Sequence, residues 1–194
     1  MILTTFVSDL ILSLVTFYCA LQLKGKSTIP NRAAMYAFII IGISAGLGSI
    51  HFLGIFEFDS IYRFFVNASG AVAVPLIGVA FYHLTFRKLT ENFFLIKLLS
   101  ITIVFIVFVY LYPVPLYATI VGGVSMLIII LGSMTKLKQN RKPSLFAILG
   151  AILFITAGLV VGTTGERAGI LNVDIFHIML ALANYCFLIA LRKF

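Results

Sequence analysis

Five ionisable side chains stand inside long apolar stretches of this chain: Asp9, His51, His83, Asp174 and His177. An ionisable group at the centre of a membrane-spanning helix costs about 2.5–3.5 kcal/mol on insertion scales, so each one needs a partner or a task. Asp174 and His177 are three residues apart, which places them on one face of a helix. Neutral imidazole and carboxylate are common zinc ligands, and a catalytic zinc keeps three protein ligands and one position for water. Such a metal brings water to a usable pKa and polarises a carbonyl, as hydrolysis of an amide or ester requires. His51, His177 and Asp9 would then be the metal ligands, with Asp9 or Asp174 as general base, and Ser49, Asn67 and Ser69 would line the substrate pocket. The same residues suit two other readings. They can satisfy one another and hold helices in register, or they can form a path or sensor for an ion, proton or small solute. Neither HExxH nor CxxC occurs.

The elements that must position these groups follow from composition. The chain has 194 residues, is 62% hydrophobic and 10% charged, and has a mean hydropathy of +1.17. A soluble domain cannot hide that much apolar surface from water. About 20 apolar residues span a bilayer, and seven such segments are predicted: 3–23, 35–56, 61–86, 93–112, 114–134, 145–163 and 169–191. They use nearly the whole chain, so residues 1–194 read as a single all-α, polytopic seven-helix domain. Continuous apolar runs disfavour a barrel, whose strands alternate. Asp9 inside the first segment, with no basic residue before it, argues against a cleaved signal peptide. Pro30, the pair Pro113 and Pro115, and Pro143 mark connections, whereas Pro75 falls mid-segment and should kink it. Gly42/Gly46, Gly122/Gly123 and Gly158/Gly162 are expected to permit close helix approach. Cys19 and Cys186 read as buried free thiols.

The net charge of +8 is unevenly placed. Twelve Lys and Arg, including Lys97 snorkelling from the fourth segment, fall on the side of the C-terminus; only Arg63 and Arg167 fall on the other. The positive-inside rule therefore predicts a cytoplasmic C-terminus, an external N-terminus and a multi-pass protein of the cell membrane. The charge then answers to lipid headgroups rather than nucleic acid, and membrane lipid is the expected partner of a monomer or weak homo-oligomer. With this orientation Asp9, His51, Asp174 and His177 share one outer layer on the first, second and seventh segments, and Asn172 stands near its mouth. First and last helices commonly meet when a seven-helix bundle closes. His83 falls at the opposite end, beside Arg87 and Lys88, as an interfacial residue.

Ser8-Asp9, the run Gly46 to His51 with Asp59 shortly after it, and Asn172 with Asp174 to His177 carry a family likeness. In these residues and in its helix plan the chain resembles the seven-helix superfamily of alkaline ceramidases and adiponectin and progestin receptors. It resembles still more an uncharacterised set of bacterial seven-helix proteins. The resemblance implies a zinc held by histidines of the second and seventh helices, matching His51 and His177, and a lipid amide as substrate. Val173 stands where that pattern has another histidine and Leu47 where it has a serine. The third ligand would therefore come from Asp9 or Asp174, in a zinc-dependent lipid amide or ester hydrolase. A small-solute or ion transporter and a non-catalytic lipid-binding sensor are the alternatives. A retinal-type photoreceptor is disfavoured because no lysine precedes Lys193 in the seventh segment.

Overall fold

The computed structural model describes residues 2–194 and is all-α apart from one two-residue hairpin. Among the described residues, seven helices are long and apolar enough to cross a membrane: α1 (Leu3–Leu23), α2 (Ile29–Phe52), α3 (Asp59–Thr85), α4 (Glu91–Leu111), α5 (Tyr117–Lys136), α6 (Arg141–Val161) and α7 (Asn172–Lys193). This is a multi-pass membrane protein. The spans agree with the sequence expectation except at some ends. α2 begins six residues before position 35 because Pro30 sits in its first turn, where the missing N–H is not needed. Pro143 likewise lies within the first turn of α6. α7 begins at Asn172 because the residues before it form the antiparallel hairpin β1 (Glu166–Arg167) and β2 (Ile170–Leu171).

Six helices close a ring in which α1 packs on α2, α2 on α3, α3 on α5, α5 on α6, α6 on α7, and α7 back on α1. The expected meeting of first and last helices is therefore present. α1 and α2 approach closely because Gly42 and Gly46 carry no side chain. A Cβ on Gly42 would stand 3.1 Å from the Phe17 ring and the Thr16 hydroxyl, and one on Gly46 3.2 Å from Ser13 Oγ. Ser13 donates to the Gly42 carbonyl across this seam at 2.9 Å. The other two glycine pairs mark no tight contact: a Cβ on Gly122 would meet only Val74 at 3.9 Å, and Gly123, Gly158 and Gly162 face open space.

α4 stands outside the ring and is the least buried span. It is held to α3 by aromatic contacts, Phe64 against Phe105 and Tyr110 with centroids 5.7 and 6.2 Å apart. At its other end Arg32 of α2 pairs with Glu91 and lies over the Phe94 ring.

Pro75 falls inside α3, two residues past an irregular turn. It cannot donate to the carbonyl four residues back, and the helix ahead of it widens into a π-helical turn over Ser69–Ala73. That irregular stretch gives α3 a cavity on each side. Ser69, Gly70 and Val74 border one, and Pro75, Gly78 and Val79 border the other.

Candidate functional site

Helix α1 carries a polar stripe at helical spacing: Thr5, Ser8, Asp9, Ser13 and Thr16 are all buried. Its first turns face α7, where Asp174 and His177 occupy one side of the helix. Ser8 is the hub of the contact. Its hydroxyl lies 3.0 Å from Asp174 Oδ1, 3.1 Å from His177 Nδ1 and 3.1 Å from the carbonyl of Thr5. Asp9 Oδ1 approaches the same ring nitrogen at 3.4 Å. With the proton on His177 Nδ1 every contact is attractive: Nδ1–H donates toward Ser8 and Asp9, and Ser8 O–H donates to Asp174. That tautomer leaves Nε2 of His177 as an acceptor.

This is not a Ser–His–Asp relay. Such a relay needs the serine on one ring nitrogen and the acid on the other, whereas Ser8 and Asp9 meet the same atom. Ser8 is also buried in the helix contact and absent from the wall of the adjoining cavity.

The structure brings Asp9, Asp174 and His177 together and sends His51 elsewhere. His51 Nδ1 is 2.6 Å from Asp59 Oδ1, across the short connection between α2 and α3. Its ring stacks on Tyr62 and meets Phe52 and Phe56 edge-on, each with centroids 5.1 Å apart. The residue of α2 that faces Asp9 is Gly48: a Cβ there would lie 2.5 Å from Asp9 Oδ2 and 3.2 Å from the Tyr62 ring. Glycine at this point lets the carboxylate press against the backbone of α2. The donor set expected for zinc is consequently not assembled, and among the described residues no group of three or more His, Cys, Asp or Glu is arranged to hold a metal ion.

Of the expected pocket residues, Ser69 lines the cavity while its hydroxyl donates to the Phe65 carbonyl. Ser49 turns back to the Gly46 carbonyl, and Asn67 is exposed. His83 lies where expected, at the end of α3, accepting from the Leu89 backbone at 3.1 Å.

The cavity beside the network has a volume of about 650 Å³. Its mouth is formed by Ile2, Phe52 and the α6–α7 connection, through Thr163, Gly165 and Leu171. Asn172 fastens that connection, donating from its side chain to the Thr164 carbonyl and from its backbone to the Gly165 carbonyl. Further in, the wall passes Asp9, His177 and Tyr62 and ends at Asn184. Asn184 lies seven residues beyond His177 on α7, about 10 Å deeper by helix rise.

Residues 4–194 match the model of a family of unknown function (DUF6962). The chain belongs to that family. No curated protein and no solved structure matches it.

Thr5, Ser8, Gly48 and Tyr62 belong to the site without being expected there as ligands or walls; Ser8 and Gly48 enter the sequence reading only through the family likeness. The repeat of small polar residues at three- and four-residue spacing in α1 was the available signal for Thr5 and Ser8. Tyr62 and Gly48 carry no such signal, because their role depends on how closely α1, α2 and α3 meet.

Proposed function

We propose that this protein is a membrane-embedded binding protein, a sensor rather than a channel or a hydrolase. In this reading it takes an amphipathic small molecule into the cavity enclosed by α1, α2, α3, α6 and α7. The excess of Lys and Arg at the other face would put the cavity mouth outside the cell. One observation carries the reading: the cavity reaches the N-terminal face but ends at mid-span on a packed layer. Phe38, Phe81 and Phe187 are fully buried in the C-terminal half, and Phe81 meets Phe187 and Phe194 with centroids 5.7 and 6.2 Å apart. A transport path would continue past Asn184, Pro75 and Ser125. Here Asn184 belongs to this cavity, whereas Pro75 and Ser125 belong to a separate one of about 520 Å³ between α3, α4 and α5. About 650 Å³ with a mostly apolar wall and a few convergent polar groups suits a drug-sized ligand. The donor geometry lends the zinc-dependent lipid hydrolase no support, since among the described residues no group of three or more His, Cys, Asp or Glu is arranged to hold a metal ion.

The test is native mass spectrometry of protein extracted in mild detergent, paired with an assay of lipid amide and ester turnover. A small amphiphile retained by the wild type and depleted in a cavity-filled Ala45→Phe variant supports the reading. Equal retention by both would sink the cavity as the site, and turnover would replace binding with catalysis.

A further inference from the structure

Helix α4 leaves a gap beside it. Toward its end it is tied to its neighbours, Phe108 meeting Tyr117 of α5 with centroids 5.5 Å apart and Phe105 meeting Phe64 of α3. Its start is held to α2 instead, through Arg32, which pairs with Glu91 and lies over the buried Phe94. Between these points α4 stands away from α5, while α3 and α5 remain close behind it: a Cβ on Gly78 would lie 3.0 Å from Ser125, and one on Gly132 would overlap Thr85. The cavity of about 520 Å³ is the space left over, and it shares no lining residue with the cavity beside His177.

Phe93, Lys97, Ser100, Ile101 and Val104 face this space at helical spacing. Val104 is eleven residues beyond Phe93, about 16 Å by helix rise, which is one leaflet's share of a hydrocarbon core about 30 Å thick. The opposite wall, Val79, Val121, Val124 and Ile128, is apolar. Ser100 and Ser125 donate to carbonyls of their own helices, at Ile96 and Val121. Phe93 and Val124 are 43% and 51% exposed, so the space is a trough open sideways to lipid.

The wall changes at the end nearest the C-terminal face. Lys97 is the only charged residue lining the trough, and Tyr82 stands toward the same end. Glu91 is the only acidic side chain toward that face and is engaged by Arg32, so Lys97 pairs with no carboxylate among the described residues. Its ammonium lies over the Phe93 ring at 5.2 Å. A cation nearly two turns inside a span needs a partner or access to water. A soluble anion has no use for the apolar trough, and a zwitterionic headgroup brings a second cation to Lys97. A lipid with a net negative headgroup satisfies both parts.

We propose that the trough between α3, α4 and α5 is a binding site for an anionic phospholipid, with one acyl chain along the face from Phe93 to Val104 and the phosphate on Lys97. The site is separate from the cavity of the proposed function and does not rest on that reading.

The full chain, purified and delipidated in non-ionic detergent, is titrated with phosphatidylglycerol and phosphatidylcholine carrying the same palmitoyl and oleoyl chains, and bound lipid is counted by native mass spectrometry. Wild type is expected to hold one phosphatidylglycerol about fivefold more tightly than phosphatidylcholine, the effect of one basic side chain near a membrane surface. Lys97→Gln should abolish that difference and leave phosphatidylcholine unchanged. Lys138→Gln, which removes a charge from the same face outside the trough, should keep it. Val104→Phe, which fills the trough, should weaken both lipids. Equal binding of the two lipids by wild type overturns the proposal, as does a preference that survives Lys97→Gln or disappears equally in Lys138→Gln. The wild-type comparison and the two lysine variants decide the matter even if Val104→Phe fails to fold.

Discussion

The two halves of this bundle are built from the same helices yet solve opposite problems. Toward the C-terminal face, Phe38, Phe81 and Phe187 belong to one core with Ala33, Ala34, Ala37 and Ala190, all fully buried. Toward the N-terminal face, the same α1, α2, α3 and α7 present Thr5, Asp9, Ser44 and His177 around a cavity of about 650 Å³. Association of helices in lipid rests on packing and interhelical hydrogen bonds rather than on exclusion of water. The closed half uses the first and the open half the second. A hydrogen-bonded seam between α1 and α7 can tolerate a void beside it, because its cohesion comes from a few directional contacts and not from filled volume. The closed half would then act as the rigid base that fixes the geometry of the open one.

The strongest way to break this contrast is to loosen the base. Phe187 packs against Phe81 and against Gly150, where a Cβ would lie 2.8 Å from its ring. Phe187→Ala is expected to cost about 3–5 kcal/mol, read as loss of unfolding resistance in detergent titrations. It should also weaken ligand retention indirectly; unchanged stability would show that the lower layer is not the base. Next in size is Gly48→Ala in the open half. Its methyl would meet Asp9 Oδ2 at 2.5 Å and the Tyr62 ring at 3.2 Å. Overpacking of this kind costs about 1–3 kcal/mol. Here it should also displace the Asp9 carboxylate, so binding should be lost well before the fold is, as thermal melting and retained ligand measured on the same sample would reveal.

Smaller again is Ser8→Ala, which removes the hydroxyl that donates to Asp174 and bridges it to His177. A hydrogen bond to a charged group contributes about 1.5–3 kcal/mol, and the lower end is expected because Asp174 lies near a helix start, where backbone N–H groups favour a carboxylate. Equilibrium unfolding measures this directly. Equal stability of Ser8→Ala and wild type would mean that Asp174 finds another donor, and the seam between α1 and α7 would have to be held by packing instead.

Much of this architecture can be read before any coordinates are seen. Hydropathy places all seven spans, and the spacing of Asp174 and His177 puts them on one face beside α1. Pro75 marks the stretch of α3 beside which the cavity takes in Ser69 and Gly70. Two things are hidden. α4 lies outside the ring; its mean hydropathy of 2.6 is the highest of the seven, but a hydropathy value alone does not say whether a helix faces lipid or packs on protein. His51 is drawn to Asp59 rather than to His177. Depth follows from counting residues, whereas the direction of a side chain depends on the six-residue connection, residues 53–58, that lets Asp59 reach it. What meets Asp9 from α2 is Gly48, with Tyr62 beside it, and a glycine leaves no chemical trace of its role in a sequence.

The two histidines offer the finest test of that distinction. His177 touches Ser8 and Asp9 and lines the cavity; His51 is paired with Asp59 at the rim, with side chains 26% and 30% exposed. An ion pair so open to solvent contributes about 0–1 kcal/mol, and Phe52, Phe56 and Tyr62 can still pack on one another without the imidazole. His51→Gln should therefore leave both stability and ligand retention near wild type. His177→Gln keeps a polar side chain of similar reach but loses the ring that holds Ser8 and Asp9 on a single nitrogen, so retention should fall while the helices remain folded. Side-by-side native mass spectrometry of the two variants measures the difference. If His51→Gln lost the ligand as completely as His177→Gln, the pocket would extend past Tyr62 to the α2–α3 connection. The two histidines would then belong to one site after all, as their common depth in the sequence suggests.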